Sequence, residues 1–92
     1  MQDDAAISHS TRQFILDHFP SSRRRALDDA TPLLESGVID SMGILDLVGF
    51  IESEFKVTID DEDLTPENFQ NIGRITAFIQ KKLIDFRRQP SV

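Results

Sequence analysis

The chain contains no cysteine, no tryptophan and no tyrosine. Without a thiol there is no disulfide, no zinc–thiolate centre and no protein sulfur nucleophile. Without Trp or Tyr, phenylalanine is the only aromatic anchor for packing or for a partner. There are two histidines, His9 and His18. Neither has a second ligand at metal-binding spacing, so both read as surface or boundary residues. No apolar run approaches the roughly 20 residues that a membrane-spanning helix needs. The opening Met1-Gln2-Asp3-Asp4 lacks the basic and apolar regions of a secretory signal, so a cytoplasmic location is the expectation. There is no internal repeat and no low-complexity segment, and no glycine-rich loop is available to cradle phosphates.

What is present is acid, unevenly placed. The 92 residues carry a net charge of −6, and their number suggests one domain over 1–92, with a core of about 4–87 and a frayed tail at 88–92. Between Ala26 and Glu67 stand twelve carboxylates opposed only by Lys56. Such a surface repels nucleic acid and steers basic protein partners toward itself. The basic residues gather at Arg23-Arg24-Arg25 and near the C-terminus. The run Asp60-Asp61-Glu62-Asp63 invites a calcium reading, but an EF-hand loop needs glycine at position six and glutamate at twelve. Counted from Asp61 those positions are Pro66 and Ile72, so no metal site is expected.

Periodicity predicts an all-α chain. Asp3 or Asp4 caps a first helix running to about Phe19, with Ile7, Phe14 and Ile15 inward and Thr11 and His18 nearby. A long connection, Ser21 to Asp40, follows. Its residues Leu27, Leu33, Leu34, Val38 and Ile39 are too apolar for a free linker and predict a loop pinned onto the helices. A second helix spans Ser41–Phe55 and buries Ile44, Leu47, Val48, Ile51 and Phe55. Gly43 and Gly49 each cost roughly 1 kcal/mol relative to Ala inside a helix, which suggests close approach by a partner or an attached group. Thr65-Pro66 has the signature of a helix start and predicts a short third helix over Pro66–Gln70. Asn71 caps a last helix from Ile72 to about Arg87, with Ile72, Ile75, Ile79, Leu83 and Phe86 on one face. The sum is a small four-helix bundle, three longer helices and one short, with a long loop between the first two.

Catalytic patterns are missing. Ser41 lacks the flanking glycines of a nucleophile elbow. Its simplest role is an N-cap, accepting bonds from free backbone amides. A phosphate esterified to the same hydroxyl would lie where the helix dipole and free N–H groups favour anions.

Leu34-Glu35-Ser36-Gly37-Val38-Ile39-Asp40-Ser41-Met42, with the helix after it, resembles an acyl carrier protein. So do Glu52-Ser53-Glu54-Phe55 and the downstream Val57-Thr58-Ile59. The resemblance runs from the first helix to Leu83. It implies that Ser41 carries 4′-phosphopantetheine, installed from coenzyme A by a phosphopantetheinyl transferase. An acyl group would then be held as a thioester on that arm, whose sulfur replaces the one the chain lacks. It further implies a non-enzymatic carrier, monomeric, served by an acyl- or aminoacyl-loading ligase and by downstream synthases and transferases with basic docking patches. Asp40, Met42, Asp46, Glu52 and Glu54 would meet those partners. Leu47, Ile51, Ile59, Phe69, Ala77 and Phe78 would line an acyl pocket, although apolar residues at these positions serve equally as plain core. Gly43 and Gly49 depart from the family pattern and alter the docking surface, and Met42 stands where Leu is usual. Leu64-Thr65-Pro66-Glu67-Asn68-Phe69 is similar to aminoacyl and peptidyl carriers, so a specialised stand-alone carrier is implied, in secondary metabolism, amino-acid loading or a dedicated lipid pathway. An aminoacyl or peptidyl carrier is the alternative within the fold. An unmodified acidic adaptor, with Ser41 only a cap, is the alternative outside it.

Overall fold

In the computed structural model, residues 3–19 and 27–88 are described, the side chains of 86–88 excepted. The Arg23-Arg24-Arg25 cluster, the tail and the Phe86 side chain lie outside that set. Among the described residues three α-helices follow in order, α1 (Asp4–His18), α2 (Ser41–Phe55) and α3 (Ile72–Arg88), with a 3-10 turn at Asp61–Asp63. No strand occurs among the described residues.

Each helix starts on a residue suited to its task. The Asp3 carboxylate accepts the Ala6 N–H at 2.8 Å, the Asp40 carboxylate accepts that of Gly43 at 2.7 Å, and Asn71 Oδ1 accepts that of Arg74 at 2.7 Å. All three are side-chain caps satisfying an otherwise free backbone donor. α2 ends on Lys56, whose N–H donates to the Glu52 carbonyl at 3.1 Å and whose left-handed backbone (φ 58°) then turns the chain out of the helix.

One core joins the helices. α1 contributes Ile7 and Ile15, α2 Leu47, Ile51 and Phe55, and α3 Ile72, Ile75 and Ile79, with Phe69 and Phe78 beside them. Burial of such side chains supplies the main folding drive, about 1.5–3 kcal/mol for each large aliphatic. Two threonines are buried with them. Thr11 donates to the Ile7 carbonyl and Thr76 to the Ile72 carbonyl, each at 2.8 Å, so neither hydroxyl is an unpaired polar group. His18, expected near the inner stripe of α1, is exposed. It stacks on Phe14 from outside, ring centroids 4.1 Å apart.

The connection into α2 is pinned as its composition predicts. Leu33, Val38 and Ile39 are buried and Leu27 packs against the core, whereas Leu34 is exposed. Backbone bonds fasten it to the base of α3: the Leu33 N–H donates to the Gln70 carbonyl at 2.9 Å and the Gly73 N–H to the Asp29 carbonyl at 3.0 Å. Arg12 of α1 pairs with the Asp29 carboxylate.

The expected short helix over Pro66–Gln70 does not form; those residues are turn and bend. The Thr65 hydroxyl does accept the Asn68 N–H at 3.3 Å. Asn71 must cap α3, however, and Gln70 turns its carbonyl to Leu33. A single turn gains too few bonds to offset helix nucleation. A 3-10 turn forms earlier, at Asp61–Asp63, so the described residues hold three α-helices and a 3-10 turn, with no fourth helix among them.

Candidate functional site

The site is built where the pinned loop becomes α2. Gly37 takes φ 79°, a left-handed conformation that glycine adopts at no steric cost. Its N–H donates to the Leu34 carbonyl at 3.1 Å, and the Ile39 N–H donates to the Leu33 carbonyl at 3.1 Å. These bonds turn the chain so that Val38 and Ile39 point inward and Asp40 and Ser41 face solvent.

Ser41 is not the cap. Asp40 is the N-cap, and Ser41 is the first helical residue. The two bonds that Ser41 was expected to supply to the helix come from Asp40, whose carboxylate takes Gly43 N–H and whose carbonyl takes Ile44 N–H. The Ser41 hydroxyl is exposed and has no hydrogen-bond partner among the described residues. The N–H groups of Ser41 and Met42 likewise have none. A phosphodiester on this hydroxyl meets two open amides at the positive end of a helix. The neighbouring Asp40 charge opposes capture of a free anion, so covalent attachment suits the site better than binding does.

Beside the hydroxyl runs a groove of about 400 Å³ lined by Phe19, Gly37, Val38, Asp40, Met42, Gly43 and Asp46. Gly43 is buried in its wall. A Cβ there would lie 2.6 Å from Phe19 Cε1 and 2.8 Å from Ile39 Cγ2. Its close approach therefore serves the end of α1, not an outside partner as the sequence suggested. Gly49 differs: it is exposed and a Cβ would meet nothing within 4 Å.

The acids divide as well. Asp40, Asp46 and Glu54 are exposed. Glu52 is half-buried, and its carboxylate accepts the Ile59 N–H at 2.9 Å, tying the segment after α2 back to the helix. That bond occupies Glu52 inside the fold. Met42 is 73% exposed and Leu45 58%. Leu45 was missed from sequence, although it falls outside the inward stripe of α2 and its exposure was legible there.

The six pocket positions do not form one wall. Leu47, Ile51, Phe69 and Phe78 are buried in the core and Ile59 packs against it. Ala77 is exposed, on an outer groove shared with Asp63, Arg74 and Lys81. It is on the wrong side of α3 to line an interior site. The acidic turn is likewise engaged. Lys82 Nζ lies 2.6 Å from Asp63 Oδ2 and 3.7 Å from Asp60 Oδ2, and Asp63 also accepts the Asp60 N–H at 2.9 Å.

The profile of a family described as "Phosphopantetheine attachment site" matches residues 23–79. The chain is 33% identical over 81 residues to "Probable acyl carrier protein PigG" from Serratia sp., a match spanning 88% of this chain and 87% of that protein. It is 37% identical over 67 residues to "Acyl carrier protein" from Thermotoga maritima, spanning 67% of this chain and 80% of that one. A chain in a solved structure titled "Crystal structure of FAD-dependent dehydrogenase" superposes with a TM-score of 0.67 at 32% identity, covering 75% of this chain and 97% of that chain.

Proposed function

The chain belongs to the acyl carrier protein family, whose attachment domain takes 4′-phosphopantetheine, and on that footing we propose that Ser41 is the residue that carries the arm. The observation that supports this most is the division of labour between Asp40 and Ser41. Asp40 caps the helix, so the serine hydroxyl stands free at the helix start.

The arm supplies a terminal thiol that holds cargo as a thioester. The chain's own residues orient its base. Ser41 and Met42 N–H groups face the phosphate, Asp40 holds the first turn of α2, and the groove lined by Phe19, Val38 and Met42 together with Asp40 and Asp46 gives the stem a mixed apolar and acidic bed. Bond-making belongs to partner enzymes, which approach along Met42, Leu45, Asp46 and Glu54, all exposed on α2. Those partners are a phosphopantetheinyl transferase, a loading ligase, and synthases or transferases with basic patches, in the cytoplasm. A flavin-dependent dehydrogenase joins the candidates, because a structure so titled contains a chain of this fold.

The cargo is an acyl group, and packing argues for a short one. Leu47, Ile51, Phe69 and Phe78 are core residues, so a long chain enters among them only by parting α2 from α3. An aminoacyl cargo is the second reading. It is favoured by a groove of about 310 Å³ that combines Pro32, Leu34 and Pro66 with the carboxylates of Glu35 and Glu67. Apolar walls with acid at the rim suit a small side chain and a cationic amine.

Incubation with coenzyme A and a promiscuous transferase is expected to add one phosphopantetheine to the intact mass. Ser41→Ala is expected to abolish the addition while leaving the helical circular dichroism unchanged. Addition to the alanine variant, or none to the parent with several transferases, overturns the assignment. Mass spectrometry of the thioester loaded from a lysate separates acyl from aminoacyl cargo.

A further inference from the structure

The groove beside Ser41 lies on one side of α2 only. Phe19 enters it from the end of α1, Gly37 and Val38 from the pinned loop, and Met42, Gly43 and Asp46 from α2. Among the described residues, α3 adds nothing to its lining. Phe19 comes this close because position 43 is glycine. The ring meets α2 with its edge: a Cβ at that position would stand 2.6 Å from Cε1 and 3.1 Å from Cζ. A larger residue there displaces the ring from the helix. Phe14 backs the same ring in an edge-on contact, centroids 6.1 Å apart. Phe19 is thus held between Phe14 and the first turn of α2, beside the serine that begins that turn.

We propose that Phe19 is a positioning residue for the arm, turning it from Ser41 onto the α1 side of α2 and away from the seam between α2 and α3. The inference rests on attachment at Ser41 and adds a direction to it. The chemistry of the arm matches the groove in order. Its phosphate stays at the amides of Ser41 and Met42 at the helix start. Next along the arm is a carbon bearing a pair of methyl groups, bulky and apolar, which suits the walls formed by Phe19 and Val38. A hydroxyl and amide N–H groups follow, all of them donors. Asp46 is exposed one turn beyond Met42 on the same face, and its carboxylate is an acceptor for them. The arm carries no charge past its phosphate, so the acids that oppose a free anion do not repel the stem. The opposite side offers no such bed, because Leu47, Ile51 and Phe78 are packed in the core. An arm held along α1 keeps a short cargo at the surface, where a partner takes it without parting the helices.

The test is NMR of the full chain carrying the arm, prepared with coenzyme A that is isotope-labelled in the arm methyls and checked by intact mass. Both methyl resonances are expected to be displaced from their positions in free coenzyme A and to show nuclear Overhauser contacts to the Phe19 ring. In the arm-bearing Phe19→Leu variant, whose groove wall stays apolar, the displacement is expected to be lost. Gly43→Ala, which keeps the ring but drives it off α2, is expected to lose it as well. Circular dichroism confirms that each variant is folded. Undisplaced methyls in the parent, contacts to Phe78 or Leu83 of α3 in place of Phe19, or a displacement that survives either substitution overturn the proposal and leave attachment standing. A parent that gains no phosphopantetheine mass overturns the attachment reading itself, and this inference with it.

Discussion

Gly43 and Gly49 lie on one helix in opposite surroundings, and substitution at each has a sign that follows from its neighbours. At Gly43 an added methyl meets the Phe19 ring and Ile39 from two sides. Overpacking of this kind costs about 1–3 kcal/mol, more than the gain of at most about 1 kcal/mol in helix propensity. Gly43→Ala is expected to lower the thermal unfolding midpoint. At Gly49 the methyl enters open space, so only the propensity gain is left. Gly49→Ala is expected to raise the midpoint by a few degrees, since about 1 kcal/mol moves a domain this size by roughly 4–8 °C. Calorimetry or circular dichroism melts of the pair decide the matter, and a neutral Gly43→Ala would mean that Phe19 does not close on the helix. From sequence the two glycines looked alike. What separates them is Phe19, some twenty-four positions away in the chain, and no local pattern encodes a neighbour at that distance. Glu52 is the same lesson in charge: a segment that folds back after α2 places the Ile59 N–H on one oxygen of its carboxylate, a contact that the spacing on α2 does not encode.

At the level of elements, α2 rests on the Asp40 cap. Asp40→Ala is expected to cost about 1 kcal/mol in unfolding free energy and to slow modification at Ser41 by loosening the first turn. Asp40→Asn keeps the cap and is expected to cost far less in stability, so any slowing of the transferase that persists in Asn reports the charge alone. Chemical denaturation and the transferase rate, measured on both variants, make the separation. The bounds of α2 were legible because Asp-Ser precedes apolar positions repeating at every fourth residue, Leu47, Ile51 and Phe55. α3 was legible for the same reason, through Ile72, Ile75 and Ile79. The segment Pro66–Gln70 misled because it has a helix-start signature with no length behind it. Whether a start becomes a helix depends on what its backbone groups find next, and the Gln70 carbonyl finds Leu33. The serine was legible as a position, but that Asp40 rather than Ser41 caps the helix was not, since Asp and Ser both qualify and only the backbone shows which stands outside the helix.

Across the whole molecule, Lys82 bridges α3 to the acidic turn that precedes it. Its hydrogen bond holds the Asp63 carboxyl below the usual carboxylate value of 3.8, aided by the Asp60 N–H and the charges of Lys82 and Lys81, with partial burial opposing. The same bond raises the Lys82 ammonium above its usual 10.5. A lowered carboxyl contributes stability that is full above the unfolded value and fades as pH falls through the folded one; a raised ammonium contributes until pH climbs through its folded value. The bridge therefore acts from about pH 4 to above pH 10. Lys82→Met is expected to destabilise by up to about 1 kcal/mol at pH 7, the range for a largely solvated pair. The gap from the parent should narrow as pH falls below the usual carboxylate range and the Asp63 carboxyl takes up its proton. Urea midpoints of both proteins at pH 7 and pH 3 test this, and a gap that persists in acid would assign the effect to packing against the Phe78 ring, 5.8 Å from Nζ.

The backbone staple between Leu33 and Gln70 also has a mechanical meaning. On the proposed attachment at Ser41, an arm drawn into a partner's cleft would pull on the chain there. One residue beyond Asp40, Ile39 is bonded to the Leu33 carbonyl, and Leu33 in turn to Gln70 at the foot of α3. Ser41 is the first residue of α2, so tension there enters that helix directly, and on its N-terminal side it is shared by two hydrogen bonds and the buried Val38–Ile39 pair. The load ends on α3, so a carrier that is tugged by its arm is towed as one body rather than unwound from the point of attachment.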